Sequence, residues 1–284
     1  MKTVRAVAEL RAELAAPRRA GDTIGLVPTM GALHEGHLSL IHRARERCDA
    51  VVVSLFVNPT QFNESRDLAS YPRDEARDRE LASGAGADFL FAPTQDEVYP
   101  PGFATTVSVA GVTEVLEGAH RGRRHFDGVT TVVTKLLNMV MPDVAYFGQK
   151  DAQQAVVIRR LVRDLDMPVR IEVGPTVREA DGVAMSSRNI HLDEAARARA
   201  ASLHRALEAI REAVEAGEHD ASRARARGLA ELVAAGIEPE YLELVSADTL
   251  TPVRRVDGDV LALIAAQVGG TRLIDNEIIQ NGRR

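Results

Sequence analysis

Short apolar runs alternate with amphipathic stretches along the first two thirds of the chain. The runs are continuously apolar or β-branched, which predicts buried parallel strands; they cover residues 22–27, 50–57, 88–91, 143–147 and 169–173, with a further strand expected at 105–109. Apolar positions at helical spacing predict helices, and these cover residues 3–16, 38–48, 73–83, 126–139 and 152–165. The alternation predicts an α/β fold with a Rossmann-like parallel sheet covered on both faces.

The pattern changes after Pro175. A polar, glycine-containing segment at 177–189 leads into alanine- and arginine-rich helices and then into short strands; these cover residues 193–215, 221–234, 241–245, 260–267 and 272–274. We therefore place a domain boundary near residue 176. The prediction is a Rossmann-like domain at 1–176 and a smaller α+β domain at 177–284.

One stretch, Pro28–His37, lies where the first long strand turns into a helix. Its two glycines let the backbone approach a ligand, and the start of the helix carries unpaired N–H groups and a partial positive charge. His34 and His37 are three residues apart, which brings both imidazoles toward one side. Each ring can donate a hydrogen bond to a phosphate oxygen, so the turn is a candidate anion site.

Two other strand ends carry polar residues. Asn58 and Gln61 follow the strand at 50–57, and the segment 148–151 follows the strand at 143–147, so all should lie at the carboxyl edge of the sheet. Taken alone, Asn58 is better explained as a cap for the turn before Pro59, and Lys150 as a solvated surface lysine. A loop at 185–189 offers two hydroxyls and a guanidinium, but by itself it has only ordinary loop composition.

Composition and charge narrow the function classes. With 284 residues, 45% hydrophobic and 27% charged, the chain has the composition of a soluble globular protein. Its net charge of −6 and scattered arginines disfavour nucleic-acid binding. The N-terminus lacks a signal-peptide core and no run is long enough to span a membrane, so a cytoplasmic location is expected. The single cysteine, Cys48, lies on an apolar helix face and is expected to be a structural thiol.

The order of these motifs resembles a known superfamily. A His-x-Gly-His string after a strand, with a Ser-Ser-Arg loop downstream, resembles the nucleotidyltransferases that include class I aminoacyl-tRNA synthetases. The full string Pro28–His37 and the string Gly148–Gln154 resemble the pantothenate synthetase family, the pantoate–β-alanine ligases. The resemblance spans nearly the whole chain, to Asn276.

That resemblance implies an activity. Family members condense (R)-pantoate with β-alanine at the expense of ATP with Mg²⁺, through a pantoyl adenylate, and release AMP and pyrophosphate. It also implies a homodimer, and a second domain that carries the Ser-Ser-Arg loop and closes over the site. No nucleic acid or membrane partner is expected.

The family's functional residues carry over onto matching positions. The implied catalytic residues are His34, His37, Lys150 and Arg188. The implied ATP-binding residues are Pro28, Met30, Gly31, His34, His37, Gly148, Gln149, Lys150, Asp151, Val177, Met185, Ser186, Ser187 and Arg188. The implied residues for pantoate and β-alanine are Asn58, Gln61, Arg121 and Gln154, and no protein ligand for the metal is assigned.

The chain departs from the family pattern after Arg121. Relatives usually continue with Pro-Gly-His-Phe, whereas this chain has residues 122–126 as Gly-Arg-Arg-His-Phe, one residue longer and without the proline. We expect residues 121–125 to form a mobile flap at the pocket rim. Gln149 stands where many relatives have glutamate, which removes one charge.

Two alternatives stay open at this point. A small nucleotidyltransferase acting on another acid or alcohol needs the same ATP motifs but not both Gln61 and Gln154. A regulatory module that binds nucleotide without turnover is a different class, against which the intact histidines, Lys150 and Arg188 count.

Overall fold

The computed structural model describes residues 1–63, 68–69 and 71–280. The chain divides into two compact units, one comprising 1–148 and 153–175, the other 149–152 and the residues from 176 onward. Residues 149–152 thus fall in the second unit, whereas the sequence pattern predicts them in the first domain. Residues 281–284 of the predicted second domain lie outside the described part.

A parallel sheet forms the centre of the first unit. Its strands in the described residues are β1 (Lys2–Val4), β2 (Ile24–Thr29), β3 (Ala50–Leu55), β4 (Phe89–Phe91), β5 (Val144–Gly148) and β6 (Arg170–Gly174). They lie in the order β1-β4-β3-β2-β5-β6, and each neighbouring pair is parallel. This confirms the Rossmann-like sheet that the alternation predicts. The order reverses between β2 and β5, and the carboxyl ends of strands at such a point form the usual ligand crevice of this architecture.

Helices cover both faces of this sheet. They are α1 (Val7–Ala20), α2 (Glu35–Arg47), α3 (Glu75–Gly84), α4 (Gln95–Val98), α5 (Glu117–Arg121), α6 (Arg123–Val140) and α7 (Ala152–Asp164). Neighbouring strand residues point to opposite faces, so Leu26 packs into one core with α1, α6 and α7, and Val27 into the other with α2 and α3. Both faces are apolar for this reason, which explains why the strands read as continuous apolar runs.

Two expectations about the first unit are wrong. Lys2–Val4 is a strand paired with β4 rather than the start of a helix, and α1 begins only at Val7. Residues 105–109 form no strand, because Val107 donates its N–H to Thr131 Oγ1 and its carbonyl accepts from Thr130 on α6. Residues 121–125, which we expect to form a mobile flap, lie in α5 or in the first turn of α6 except for Gly122, and their mobility remains a prediction.

The second unit has its own antiparallel sheet and core. Its strands in the described residues are β7 (Pro239–Ser246), β8 (Val260–Val268) and β9 (Thr271–Ile279), with β8 in the middle. Two helices, α8 (Glu194–Glu215) and α9 (Ala221–Ala234), pack with this sheet in one core. An N-cap aspartate precedes each helix: Asp193 precedes α8 and Asp220 precedes α9. Its carboxylate accepts a hydrogen bond from the backbone N–H three residues later.

β9 is longer than its apolar pattern predicts. That pattern predicts an end at residue 274, yet pairing with β8 continues to Ile279. Polar residues at 275–277 interrupt the apolar pattern, but Asp275 and Asn276 are only 4% and 3% exposed. Asp275 accepts two hydrogen bonds from Arg178, and Asn276 donates to the carbonyls of residues 149 and 150, so both buried side chains have polar partners within this unit.

Among the described residues, no helix is long and apolar enough to cross a membrane.

Candidate active site

The histidine motif forms the turn between β2 and α2. His34 is the N-cap of α2, with its Nδ1 accepting the Gly36 N–H at 3.2 Å, and His37 Nδ1 accepts the His34 N–H at 3.4 Å. The two ring centroids are 4.2 Å apart. Because each Nδ1 accepts a backbone N–H, a neutral ring must carry its proton on Nε2. The turn therefore fixes the tautomer and makes each Nε2–H a hydrogen-bond donor.

A second group of residues lies at the ends of β2 and β3. Gln61, in a short 3₁₀ turn (Pro59–Gln61), donates from Nε2 to the Met30 sulfur at 3.2 Å, and its Oε1 accepts from Asn58 Nδ2 at 2.9 Å. Asn58 is 1% exposed and also caps this turn by accepting the Thr60 N–H. Asn58 thus makes the capping contact that local sequence suggests, and it also donates a hydrogen bond to the Gln61 side-chain amide.

Tyr99 supports this group from the end of α4. Its hydroxyl donates to Asn58 Oδ1 at 2.8 Å across 41 positions of sequence. Burial raises the pKa of Tyr99, so the hydroxyl stays protonated and remains a donor at neutral pH. Nothing in the local sequence singles out Tyr99, so it is absent from the residues predicted above.

Helix α6 packs directly on the Gln61 turn. His125 Nδ1 donates to the Gln61 carbonyl at 2.8 Å, and Asn58 Nδ2 also donates to the Gly128 carbonyl at 3.1 Å. A Cβ on Gly128 would lie 2.7 Å from backbone atoms of both Thr60 and Gln61. Glycine at 128 is therefore required for this approach, which sequence alone does not reveal.

Arg121 and the two glutamines of α7 lie in separate local networks. Arg121 Nε donates to Glu117 at 3.0 Å. Gln153 is 3% exposed and donates to the carbonyls of Val112 and Val115, both at 2.8 Å. Its own Oε1 accepts the Glu117 N–H, so Gln153 anchors the segment that leads to Arg121. Gln154, the predicted substrate residue, is half-buried beside it.

The lysine segment follows Gly148, the last residue of β5, and belongs to the second unit. Asn276 of β9 donates to the carbonyls of Gln149 and Lys150 at 2.9 and 2.8 Å, and Gln149 Nε2 donates back to Asn276 Oδ1. Lys150 Nζ lies 3.7 Å from Asp151 Oδ1, and the lysine side chain is 19% exposed. Asn276 thus fixes the backbone from which Lys150 and Asp151 project.

The Ser-Ser-Arg loop is also anchored within the second unit. Ser187–His191 form a 3₁₀ turn in which Ser186 Oγ accepts the Arg188 N–H at 3.3 Å. Asn189 holds the turn by donating to Glu179 Oε1 at 2.6 Å and to the Ala184 carbonyl. The Met185 N–H donates to the Val177 carbonyl, while Arg188 is exposed. These hydrogen bonds hold the turn that carries the exposed Arg188 side chain.

The described residues contain no group of three or more histidine, cysteine or acidic side chains arranged to hold a metal ion. Asp151 is the carboxylate nearest to Lys150 in this segment, and its side chain is 53% exposed. Magnesium is often bound by one or two carboxylates together with substrate phosphates, so a single exposed carboxylate fits a nucleotide-carried ion.

Comparison with known proteins gives one consistent result. Residues 2–278 match the family model described as pantoate-beta-alanine ligase. The chain is 54% identical over 282 residues to the pantothenate synthetase of Moorella thermoacetica, covering 99% of both chains. It is 56% identical over 274 residues to that of Cereibacter sphaeroides, covering 96% of this chain and 98% of the relative.

Solved structures agree. The crystal structure of pantothenate synthetase from Thermus thermophilus matches with a TM-score of 0.93 and 47% identity, covering 99% of this chain and 100% of the other. The pantoate-beta-alanine ligase of Francisella tularensis, complexed with beta-gamma ATP and beta-alanine, matches with a TM-score of 0.79 and 31% identity, covering 98% of this chain and 97% of the other.

Proposed function

The chain belongs to the pantoate–β-alanine ligase family, and from this we propose that it makes pantothenate by ATP-dependent condensation of (R)-pantoate with β-alanine. The observation that carries the proposed mechanism is the imidazole pair at the start of α2. Both rings accept backbone N–H groups on Nδ1, so both Nε2 atoms are hydrogen-bond donors without any change of protonation.

In the first proposed step, a pantoate carboxylate oxygen attacks the α-phosphorus of ATP. A bond to that oxygen forms, the bond to the bridging oxygen breaks, and pyrophosphate leaves, giving pantoyl adenylate. Negative charge on the phosphate oxygens shifts during this step, and fixed donors stabilise it. We assign that role to His34 and His37 through Nε2–H, and to Lys150 and Arg188 as cations, with hydrogen bonding rather than proton transfer as the main contribution.

The remaining ATP contacts are proposed from matching family positions. In the first unit they are Pro28, Met30, Gly31 and Gly148. In the second unit they are Gln149, Asp151, Val177, Met185, Ser186 and Ser187. Asp151 is the protein group proposed to hold Mg²⁺ together with ATP phosphates, and the ion would supply positive charge to the pyrophosphate leaving group.

Pantoate recognition is proposed to centre on Gln61. Its amide is oriented by Asn58 on one side and Met30 on the other, so the remaining N–H and oxygen lone pair have fixed directions toward a ligand. Gln154 and Arg121 are proposed as further contacts to pantoate or β-alanine. Asn58 is proposed to act on substrate through Gln61, because it is 1% exposed.

In the second proposed step, the amine of β-alanine attacks the acyl carbon of the adenylate. The acyl–phosphate bond breaks with its electrons on oxygen, AMP leaves, and the amine releases a proton. We further propose that the enzyme works in the cytoplasm as a homodimer and that the second domain closes during the reaction.

Isotope exchange tests the proposal. Supplied with ATP, magnesium and pantoate alone, the protein should exchange labelled pyrophosphate into ATP, because β-alanine is not needed for the first step. Adding β-alanine should then yield pantothenate and AMP. Acids that lack the hydroxyls of pantoate should support exchange poorly, because a site that hydrogen-bonds those groups leaves buried partners unpaired.

Three outcomes would contradict the proposed reaction. Exchange only with a different acid or alcohol would identify another nucleotidyltransferase. No exchange with any acid would indicate a binding module. Formation of ADP and phosphate would mean attack at the γ-phosphate, and the adenylate mechanism would be abandoned.

A further inference from the structure

The backbone before His34 adopts an unusual conformation. Gly31 and Ala32 both have positive φ, at +87° and +52°. Few L-residues adopt this region, so Ala32 is held there by its surroundings rather than by its own preference. The turn also directs two backbone N–H groups, those of Ala32 and Leu33, toward the protein interior, where each needs an acceptor.

A single buried carboxylate satisfies both N–H groups. Asp78 of α3 is 1% exposed; its Oδ2 accepts the Ala32 N–H at 2.9 Å, and its Oδ1 accepts the Leu33 N–H at 2.7 Å. The neighbouring Arg77 donates to the Leu33 carbonyl at 3.1 Å and lies 3.9 Å from Asp78 Oδ1. Helix α3 thus binds both the N–H and the carbonyl of Leu33, the residue that precedes His34.

The close approach of the Asp78 carboxylate explains why residue 31 is glycine. A Cβ built on Gly31 would lie 2.9 Å from Asp78 Oδ2 and 2.8 Å from Leu55 Cδ1. The turn can therefore reach Asp78 only with glycine at this position. The turn conformation therefore depends on both Gly31 and Asp78. The turn leads directly into His34, the N-cap of α2.

We propose that Asp78 is a positioning residue for the imidazole pair of the proposed adenylation reaction. It fixes Leu33, Leu33 sets the direction of His34, and the His34 N–H in turn fixes His37 through Nδ1. Both carboxylate oxygens are engaged by backbone N–H groups, so Asp78 acts through the histidines rather than on substrate. The inference rests on the proposed function for its kinetic test, but its structural test stands separately.

Asp78→Asn is the decisive variant. The amide keeps the size of the side chain but has one oxygen, so one backbone N–H must face an NH₂ group instead of an acceptor. We expect the rate constant for pyrophosphate exchange at saturating substrates to fall roughly tenfold to a hundredfold, because small displacements of catalytic groups have effects of that size. The KM values for ATP and pantoate should change far less.

Asp143→Asn is the matched control. Asp143 Oδ2 accepts the Ile24 N–H at 2.8 Å and so holds the same strand, β2, at its opposite end. The Asp143 carboxylate accepts a single backbone N–H, which the one oxygen of asparagine can still accept, so this variant removes the negative charge and keeps the hydrogen bond. It should leave the exchange rate constant close to that of the wild type.

A spectroscopic readout separates the inference from the proposed function. ¹⁵N–¹H NMR correlation of the imidazole nitrogens reports the tautomer of each histidine. In the wild type, and in Asp143→Asn, His34 and His37 should show the Nε2–H form, whereas Asp78→Asn should shift their signals or mix the tautomers. If the wild type shows no exchange, the proposed function fails, but the NMR comparison still decides the role of Asp78.

The inference is overturned if Asp78→Asn matches the wild type in both histidine signals and rate constant. Should Asp78→Asn not fold, Asp78→Glu replaces it, because it keeps the negative charge and both acceptor oxygens but moves them by one methylene. It should displace the Ala32 and Leu33 N–H groups and disturb the same two histidines with a smaller loss of rate. Unchanged signals and rate in that variant would also overturn the inference.

Discussion

Gly128→Ala should weaken pantoate binding without changing any side chain that is proposed to contact pantoate. The added Cβ would lie 2.7 Å from Gln61 N and from the carbonyl carbon and oxygen of Thr60. All three are backbone atoms, so the clash cannot be relieved by rotating a side chain. The short turn that carries Gln61 is therefore the element that must move.

Two opposing effects set the change in the free energy of unfolding. Overpacking of this kind costs about 1–3 kcal/mol, whereas replacing glycine by alanine inside a helix favours the helix by about 1 kcal/mol. The free energy of unfolding should therefore fall by about 0–2 kcal/mol, which leaves the protein folded. Pantoate affinity should fall by roughly tenfold to a hundredfold, since a shift of about 1 Å in a positioning group has effects of that order.

Isothermal titration with pantoate and urea denaturation measure the two quantities. Gly84→Ala is the matched control, because Gly84 ends α3 and nothing lies within 4 Å of an added Cβ. It should leave pantoate affinity unchanged. The double variant Gly128→Ala, Gln61→Ala should bind pantoate about as weakly as Gln61→Ala alone, since both changes act through one side chain. Wild-type pantoate affinity in folded Gly128→Ala, or fully additive losses in the double variant, would refute the reasoning.

Two further predictions concern one residue in each unit. His37→Ala should lower turnover by roughly a hundredfold to a thousandfold, as expected for the loss of one transition-state donor. His42 is an exposed histidine on the same helix, and His42→Ala should not lower turnover. Equal steady-state rates for the two variants would remove His37 from the mechanism. Burial raises the pKa of Glu277, whose Oε2 has no hydrogen-bond partner among the described residues, even though Arg211 lies 2.9 Å from Oε1. The folded state therefore binds this proton more tightly than the unfolded state, so the contribution of Glu277 to stability falls as pH rises from the ordinary glutamate range through the raised pKa. Glu277→Gln should flatten that dependence in urea denaturation as the pH rises from the ordinary glutamate range of about pH 4, and an unchanged slope would contradict the assignment.

Local sequence was sufficient for most of the sheet. The strands β2, β3 and β5 are buried on both faces, so their apolar runs are unambiguous, and the turns that follow them could be placed at one edge. The segment 105–109 misled the prediction because its β-branched residues look like a strand, whereas Val107 bonds to threonine side chains of α6. β1 is three residues long, too short for its period to be separated from that of α1.

Some residues of the candidate site carry a local sequence signal, and others do not. For residues that follow a strand within a few positions, such as His34, Gln61 and Lys150, chain order predicts a place at the sheet edge. Their proposed roles rest on the family resemblance. Tyr99 and Gly128 were missed because they reach Asn58 across 41 and 70 positions, and neither carries a local signature. Asn276 was recognised only as part of a resemblance, while its hold on the Lys150 backbone required the structure.

The sequence indicates that the histidine turn needs a buried acceptor, but it does not show that Asp78 is that acceptor. A glycine-containing turn that leads from a buried strand into a helix directs backbone N–H groups inward, and buried N–H groups are almost always paired. The string Pro28–His37 therefore implies an acceptor elsewhere in the chain. From sequence alone, any acidic residue of the charged helix that begins near residue 73 would fit this role equally well, because helical spacing shows which face is buried but not which residue meets the turn. Only the packing of α3 against the turn selects Asp78, 45 positions beyond Leu33. For this reason the residues that hold a catalytic motif in shape are harder to read from one sequence than those that carry the chemistry.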